Sequence, residues 1–218
     1  NEDTNKIQMR RTMAGLALSS ENQHVVEIAL QRYNKTTPEK IDAEFRAILM
    51  SAAVRFGQSN VIDNLIKLHN KTPSADLRDD ICGALTTSKD PEAISRVLAM
   101  LKNKEQVRTQ DIVRWYAYLL RNKHSRKLTW QWLKENWIWL TETFSSSKSY
   151  DYFPRYAASF MNSEEWLIDY KKFFMPYIDD LALTRAIKIG VSEIEARVEW
   201  RKRDEKPIID WFANRSLN

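Results

Sequence analysis

Residues 90–101 read DPEAISRVLAML and contain the clearest helix signal in the chain. Asp90 is a residue type that caps free backbone amides, and Pro91 follows at the first helical position, where its missing N–H does no harm. Glu92 places a negative charge in the first turn, where it interacts favourably with the helix dipole. Apolar side chains then recur at the spacing of one helix face: Ile94, Val97, Leu98 and Leu101. The stretch therefore predicts an amphipathic α-helix that begins at Pro91.

Two other segments open on a threonine followed by a proline, and we predict that a helix starts at each. Thr37-Pro38-Glu39 comes before an apolar stripe made of Ile41, Phe45, Ile48, Leu49 and Ala52. Thr72-Pro73 comes before a second stripe made of Leu77, Ile81 and Leu85. Both stripes have the period of a helix with one buried face.

Helical periodicity predicts further helices along the rest of the chain. They cover residues 9–18, 25–33, 61–68, 128–144, 152–161, 166–177 and 181–203, together with a helix capped by Thr109 and a terminal helix starting at Pro207. We expect the terminal helix to bury Ile208, Trp211 and Phe212, and the helix over residues 128–144 to bury Trp130, Leu133, Trp137, Leu140 and Phe144. Trp132 and Trp139 lie seven residues apart on an adjacent face, which a neighbouring helix can cover.

The low glycine and proline content and the close spacing of the helices predict an all-α fold. Only 4 glycines and 6 prolines occur in 218 residues, which disfavours the tight turns of hairpins and sheets. Helices at short intervals with short connections stack as antiparallel hairpins. No exact repeat is present, and the tetratricopeptide and ankyrin signatures are missing. We therefore expect a single domain over residues 1–218, built as an irregular HEAT- or armadillo-like α-solenoid.

Charge and hydropathy exclude two classes of partner. The net charge is +5, but acidic and basic residues alternate along most of the chain, whereas a nucleic-acid binder concentrates its basic residues on one face. No apolar run approaches the roughly 20 residues that a membrane span needs. One local basic cluster consists of Arg121, Lys123, Arg126 and Lys127. This cluster is either a solvated helix junction or a site for a phosphate or carboxylate.

The residues that usually carry chemistry do not form a catalytic set. His24, His69 and His124 are far apart in the sequence, and none has another histidine four residues away, so we expect surface or capping histidines and no metal site. Cys82, the only cysteine, lies on an apolar-leaning helix and is expected to be buried and inert. Glycine loops that cradle phosphates are missing. We therefore expect that this chain holds no cofactor and catalyses no reaction.

Several strings resemble segments of aminopeptidase-N-like zinc peptidases. Residues 84–92, ALTTSKDPE, resemble that family's AL-x-x-S-x-D-P-E turn. Residues 107–111, VRTQD, resemble its (I/V)-R-x-Q-D helix start, and residues 130–137, WQWLKENW, are similar to its A-W-x-F-L-K-E-N-W segment. Other matching positions follow in the family's order: Phe160, Glu164-Glu165, Phe173-Phe174, Trp200 and Trp211-Phe212. The resemblance covers nearly the whole chain.

The resemblance implies the C-terminal helical domain of a larger zinc aminopeptidase. In that family the zinc motif H-E-x-x-H and the G-A-M-E-N substrate loop belong to an upstream domain, and neither motif occurs here. The C-terminal domain of such enzymes encloses the catalytic chamber and limits which peptides enter, so the implied partners are the parent's catalytic domain and peptide substrates. Secreted relatives carry disulfides in this region, and their absence here implies a cytoplasmic protein. The basic residue that holds the peptide C-terminus in ER relatives is replaced by Thr87, so that role is not carried over.

Arg108, Gln110 and Asp111 are the candidate contact residues, for a peptide or for another domain. A structural interpretation stays open beside this one: Thr109 and Asp111 cap the helix, and Arg108 pairs with a nearby carboxylate. A second class of function also stays open, in which the chain is a free-standing helical-repeat scaffold that binds a protein partner.

Overall fold

A computed structural model describes residues 3–215, and in this range the chain is helical without a strand. Its α-helices are α1 (Thr4–Ser19), α2 (Gln23–Asn34), α3 (Ala43–Phe56), α4 (Asn60–Lys71), α5 (Ala75–Leu85), α6 (Pro91–Met100), α7 (Ile112–Arg121), α8 (Arg126–Glu135), α9 (Trp137–Thr143), α10 (Tyr152–Phe160), α11 (Glu164–Phe174) and α12 (Thr184–Arg215). The all-α prediction is confirmed, while the type of helical repeat stays a prediction.

One of the three proline-marked helix starts is correct as predicted. The Asp90 carboxylate accepts the backbone N–H groups of Glu92 and Ala93 at 3.1 and 3.4 Å, and α6 begins at Pro91. Two helix donors that would otherwise have no partner are thereby satisfied.

The other two predicted starts are wrong by two to five residues. Pro38–Lys40 forms a single 3-10 turn, and α3 begins only at Ala43, where Asp42 caps the N–H of Glu44 at 2.8 Å. Likewise α5 begins at Ala75, with the Ser74 hydroxyl accepting the N–H of Leu77 at 3.2 Å. In both cases the residue that makes the capping bond lies after the threonine-proline pair, and the helix starts there.

The described chain divides into two compact units, the first ending at Thr129 and the second beginning at Trp130, inside α8. In the first unit α3 packs against α2 and α5, and α4 packs against α5, so that helices contact near neighbours in the sequence, as they do in an α-solenoid. Part of its core is an apolar cluster that consists of Leu18, Ala29, Ile41, Leu49 and Ala52.

The core of the second unit is aromatic. Trp130, Leu133, Trp137 and Leu140 are each at most 3% exposed, and Phe144 is 5% exposed, which confirms the predicted stripe. The ring of Trp130 stacks on that of Tyr170 with centroids 6.3 Å apart, and Trp132, also buried, meets Trp139 edge-on at 6.2 Å. The predicted helix over residues 128–144 is nevertheless two helices, because Asn136 interrupts it and its amide donates to the carbonyl of Trp132 at 2.8 Å.

The end of the chain differs from the prediction. α12 continues through Pro207 as one helix to Arg215, so no separate helix starts at Pro207. Ile208, Trp211 and Phe212 are 49%, 50% and 61% exposed, and their predicted burial is wrong. The buried residues of α12 end at Val198. Arg201 still donates to the carbonyl of Asn162 at 3.1 Å and Lys202 pairs with Glu164, and the apolar residues that follow are exposed. The start of α12 also lies later than predicted, at Thr184.

Candidate functional site

The segment that contains Arg108, Gln110 and Asp111 leads into α7. Arg108 has extended backbone, Thr109–Asp111 form one 3-10 turn, and α7 follows at Ile112. Neither Thr109 nor Asp111 caps a helix through its side chain, so the predicted cap by Thr109 is wrong, while the helix itself is present as α7. Buried Val107, 2% exposed, anchors the segment on the first unit.

An ion pair fixes two of the three candidate residues. Arg108 Nε donates to Asp111 Oδ2 at 2.7 Å, which is the carboxylate pairing that the structural interpretation expects. Arg114, one turn further along α7, approaches the other oxygen of Asp111 at 4.0 Å and pairs more closely with Asp79. Gln110 is exposed and does not line the cavity described next.

A small cavity of about 60 Å³ lies behind these ion pairs in the first unit. Three arginines line it, Arg78 from α5, Arg108, and Arg114 from α7, together with His69 and Trp115. Sequence reasoning identified Arg108 alone among the three arginines. Arg114 lies three residues after the VRTQD segment and Arg78 six residues before ALTTSKDPE, and only the packing of α5 beside α7 brings Arg78 to Arg108.

His69 is buried at 6% exposure, so the prediction of a surface or capping histidine is wrong for this residue, while His24 and His124 are exposed as predicted. Its ring meets that of Trp115 edge-on, with centroids 5.3 Å apart and planes at 86°. A sequence signal for this burial exists, because Ile62, Leu65 and His69 continue one apolar face of α4. Burial lowers the pKa of His69, and the neighbouring positive charge of Arg78 lowers it further, against the hydrogen bond of Asn70 that raises it.

His69 should make the stability of the chain depend on pH. Because its pKa in the folded chain lies below the unfolded value of about 6.5, the unfolded chain binds more protons between these two values. The unfolding free energy should therefore be highest above about pH 6.5 and fall at lower pH, by at most about 1.4 kcal/mol per pH unit for one proton. Urea unfolding of the wild type and of His69→Gln between pH 7.5 and 5 measures this loss as a difference, which removes the contributions of His24 and His124. Parallel curves for the two proteins would contradict the assignment.

A second, wider cavity of about 520 Å³ opens on the same unit. Leu18 and Ile48 contribute apolar surface to it, and the polar residues Thr87, Tyr118 and Lys123 also line it. Thr87 uses its hydroxyl to bind the carbonyl of Ala84 at 2.7 Å, within its own helix end.

The basic cluster lies at the edge of this wide cavity. Arg121 and Lys123 line the cavity and are exposed, whereas Arg126 turns inward and donates from Nε to the carbonyl of Leu120 at 3.0 Å. Asn122 Nδ2 donates to the carbonyls of Thr86 and Ser88 at 3.0 and 2.6 Å and so ties the end of α7 to the end of α5. The cluster is therefore in part a helix junction, as one of the two interpretations expects, and it also borders a cavity.

Cys82 is buried, and the described acidic residues form no metal-ligating group. Cys82 is 2% exposed, which confirms its predicted burial, and burial raises the pKa of its thiol well above the usual value. Between residues 3 and 215, no three side chains of the histidine, cysteine, aspartate or glutamate types converge as metal ligands. Over the same range, none of the helices has the length and apolar character to cross a membrane.

Comparison with known proteins decides the family. A family model described as the ERAP1-like C-terminal domain matches residues 1–196. The chain belongs to this family. As an ERAP1-like C-terminal domain, it is 29% identical over 97% of its length to aminopeptidase N of Lactobacillus helveticus, and 30% identical over 87% to aminopeptidase N of Lactococcus lactis subsp. cremoris (strain MG1363). It is also 26% identical over 68% of its length to glutamyl aminopeptidase of Rattus norvegicus.

The domain is much shorter than these relatives. It covers 26% of the Lactobacillus aminopeptidase N, 23% of the Lactococcus protein and 16% of the rat glutamyl aminopeptidase. The predicted resemblance to the C-terminal domain of aminopeptidase-N-like enzymes is confirmed, and the chain spans about a quarter of the length of the bacterial relatives.

Proposed function

We propose that residues 1–218 are a single, non-catalytic C-terminal domain of a zinc aminopeptidase, and that this domain encloses the catalytic chamber and controls the access of peptides. The observation that carries the proposal is the family match over residues 1–196, together with relatives named aminopeptidases that are about four times as long. The residues between 3 and 215 offer no zinc ligand set, so the proposal assigns the zinc to a catalytic domain elsewhere in the full-length protein. The one cysteine, Cys82, fits a reducing compartment, and we propose a cytoplasmic enzyme.

The wide cavity of the first unit supports a role in peptide handling. Its volume of about 520 Å³ is in the range of pockets that hold small ligands. Apolar surface from Leu18 and Ile48 can receive a peptide side chain, and Arg121 and Lys123 at the edge can attract a carboxylate. Two other cations, Arg55 of the lining and Lys89, both pair with the single carboxylate of Glu21, at 3.0 and 2.8 Å.

Removing the domain from the full-length enzyme should change its dependence on peptide length. Contacts with remote parts of a peptide help to orient it at the reacting centre, so their loss lowers kcat/KM for long peptides. We expect a loss of about tenfold or more for peptides of eight residues, equivalent to about 1.4 kcal/mol of transition-state stabilisation, and a smaller change for an aminoacyl-arylamide. The measurement is kcat/KM against peptide length for the full-length protein and for a truncation without residues 1–218 that has been shown to fold and to retain zinc. If kcat/KM depends on peptide length in the same way in both proteins, the domain only stabilises the structure of the enzyme and does not handle peptides.

A charge reversal tests the cavity itself. Lys123→Glu should weaken the binding of long peptides more than the binding of dipeptides. The difference should grow at low salt, because exposed charges are screened less there. Lys67→Glu is the matched control, since Lys67 is exposed on α4 and lies outside the cavity. Equal effects of the two reversals would show only a change in net charge.

A further inference from the structure

Arg78 has a buried donor without an acceptor. Its Nε is inaccessible to solvent and makes no hydrogen bond to any residue in the part of the chain that the structure describes. Buried polar atoms of native proteins nearly always have a partner, and a charged donor without one is especially unfavourable. No other side-chain nitrogen or oxygen among the described residues is in this situation. The arginine therefore points to an acceptor that lies outside the described chain.

The aspartates beside Arg78 are already engaged. Asp111 accepts from Arg108 at 2.7 Å, and Asp79 pairs with Arg114. In each ion pair the aspartate neutralises the charge of its arginine. The two pairs hold the guanidinium groups of Arg108 and Arg114 at the wall of the cavity. The remaining carboxylate of the lining is that of Glu105, which is exposed at the edge. Arg78 is thus the cation whose charge no neighbouring aspartate neutralises.

The cavity has the size of one small anionic group. Its volume of about 60 Å³ is well above the roughly 10–15 Å³ that one water molecule needs. A planar carboxylate fits this space, and arginine binds carboxylates through paired N–H donors in one plane. The ring of His69 is fixed against Trp115 and closes one side, so the group enters from the exposed side near Glu105.

We propose that this cavity is a binding site for a single carboxylate group, with Arg78 as its main donor. The carboxylate comes either from a small organic acid or from an acidic side chain, and the chemistry of recognition is the same for both. The proposal rests on the geometry of the first unit and does not depend on the aminopeptidase assignment.

The test compares acetate with acetamide, which has the same shape without the charge. Both are titrated into the 218-residue chain at constant ionic strength, and the Nε–H resonance of Arg78 and the ring resonances of His69 are followed by NMR. We expect a saturable shift with acetate and none with acetamide or chloride. N-acetylglutamate methylamide and its glutamine counterpart form a second arm, which shows whether an acidic side chain enters as well as a small acid. A cavity that holds only water would leave both resonances unchanged by acetate and would overturn the proposal.

Variants assign the binding to Arg78. Arg78→Gln should weaken acetate binding at least tenfold, followed through the ring of His69, and Arg78→Lys should weaken it less, because a lysine keeps the charge without the paired donors. Arg96→Gln is the matched control, since Arg96 is a half-exposed arginine on α6 that pairs with Asp63 away from the cavity. Glu105→Gln should tighten binding, because it removes the competing carboxylate at the edge. Unchanged acetate binding in Arg78→Gln and Arg78→Lys, both with native circular dichroism, would contradict the assignment.

Discussion

Trp137→Ala should lower the unfolding free energy of the chain by about 3–5 kcal/mol, the usual cost of deleting a large core side chain. The indole is 3% exposed, and its ring meets those of Phe173, Phe174 and Tyr177 at centroid distances of 6.0, 5.3 and 5.7 Å. These aromatic contacts add to the apolar area that the side chain buries. Because the α9 backbone is held by its neighbours, the space left behind cannot collapse completely.

Urea unfolding followed by circular dichroism measures this loss. Trp200→Ala is the matched control, since Trp200 lies on α12 and is 58% exposed, and an exposed substitution changes stability by only about 0.5 kcal/mol. A difference of less than about 1 kcal/mol between wild type and Trp137→Ala would show that the aromatic core is not tightly packed.

Gly190→Ala should also destabilise the chain, by about 1–3 kcal/mol, although alanine is the better helix former. A Cβ at Gly190, inside α12, would overlap the hydroxyl of Tyr170 and come within 2.8 Å of its Cζ and 3.0 Å of the Ala158 Cβ. Tyr170 is fully buried, and its hydroxyl donates to the carbonyl of Pro154 at 3.3 Å, so the ring cannot move aside without losing this bond. Steric overlap therefore outweighs helix propensity.

Two further variants isolate the overlap. Gly15→Ala introduces the same methyl group on α1, where nothing lies within 4 Å, and it should stabilise the chain by about 0.5–1 kcal/mol. Tyr170→Phe removes the overlapping hydroxyl, so the double variant with Gly190→Ala should lose less stability than the sum of the two single changes. The explanation fails if Gly190→Ala is as stable as the wild type in thermal and urea unfolding.

Much of the fold was predictable because local and tertiary preferences agree in this sequence. Capping chemistry alone predicts a helix start at Asp90-Pro91, and the structure contains the hydrogen bond that the Asp90 carboxylate accepts from the backbone N–H of Glu92. The stripe from Trp130 to Phe144 was predictable as core because burial follows the apolar period and not the continuity of the helix. The interruption at Asn136 was not predictable from that period, since a one-residue break leaves the spacing of the buried side chains intact.

The errors arise where a local signal has a second possible outcome. A proline such as Pro207 usually marks the start or the end of a helix, yet α12 passes through it, at a place where the neighbouring residues are exposed. The three candidate residues Arg108, Gln110 and Asp111 came from a motif, which cannot show that Arg78 lies beside them. That proximity depends on the packing of α5 against α7, a tertiary contact between residues about 30 positions apart.

The placement of Cys82 gives the first unit a chemical reporter of its own. A thiol that is 2% exposed and whose pKa is raised reacts with an alkylating reagent only when the surrounding helices open, so its labelling rate follows the opening of this unit. Trp115 is the one tryptophan of the eight that precedes Thr129, and the other seven lie in the second unit, whose fluorescence they dominate. Alkylation rate and tryptophan emission thus follow different halves of the same polypeptide, without any engineered label.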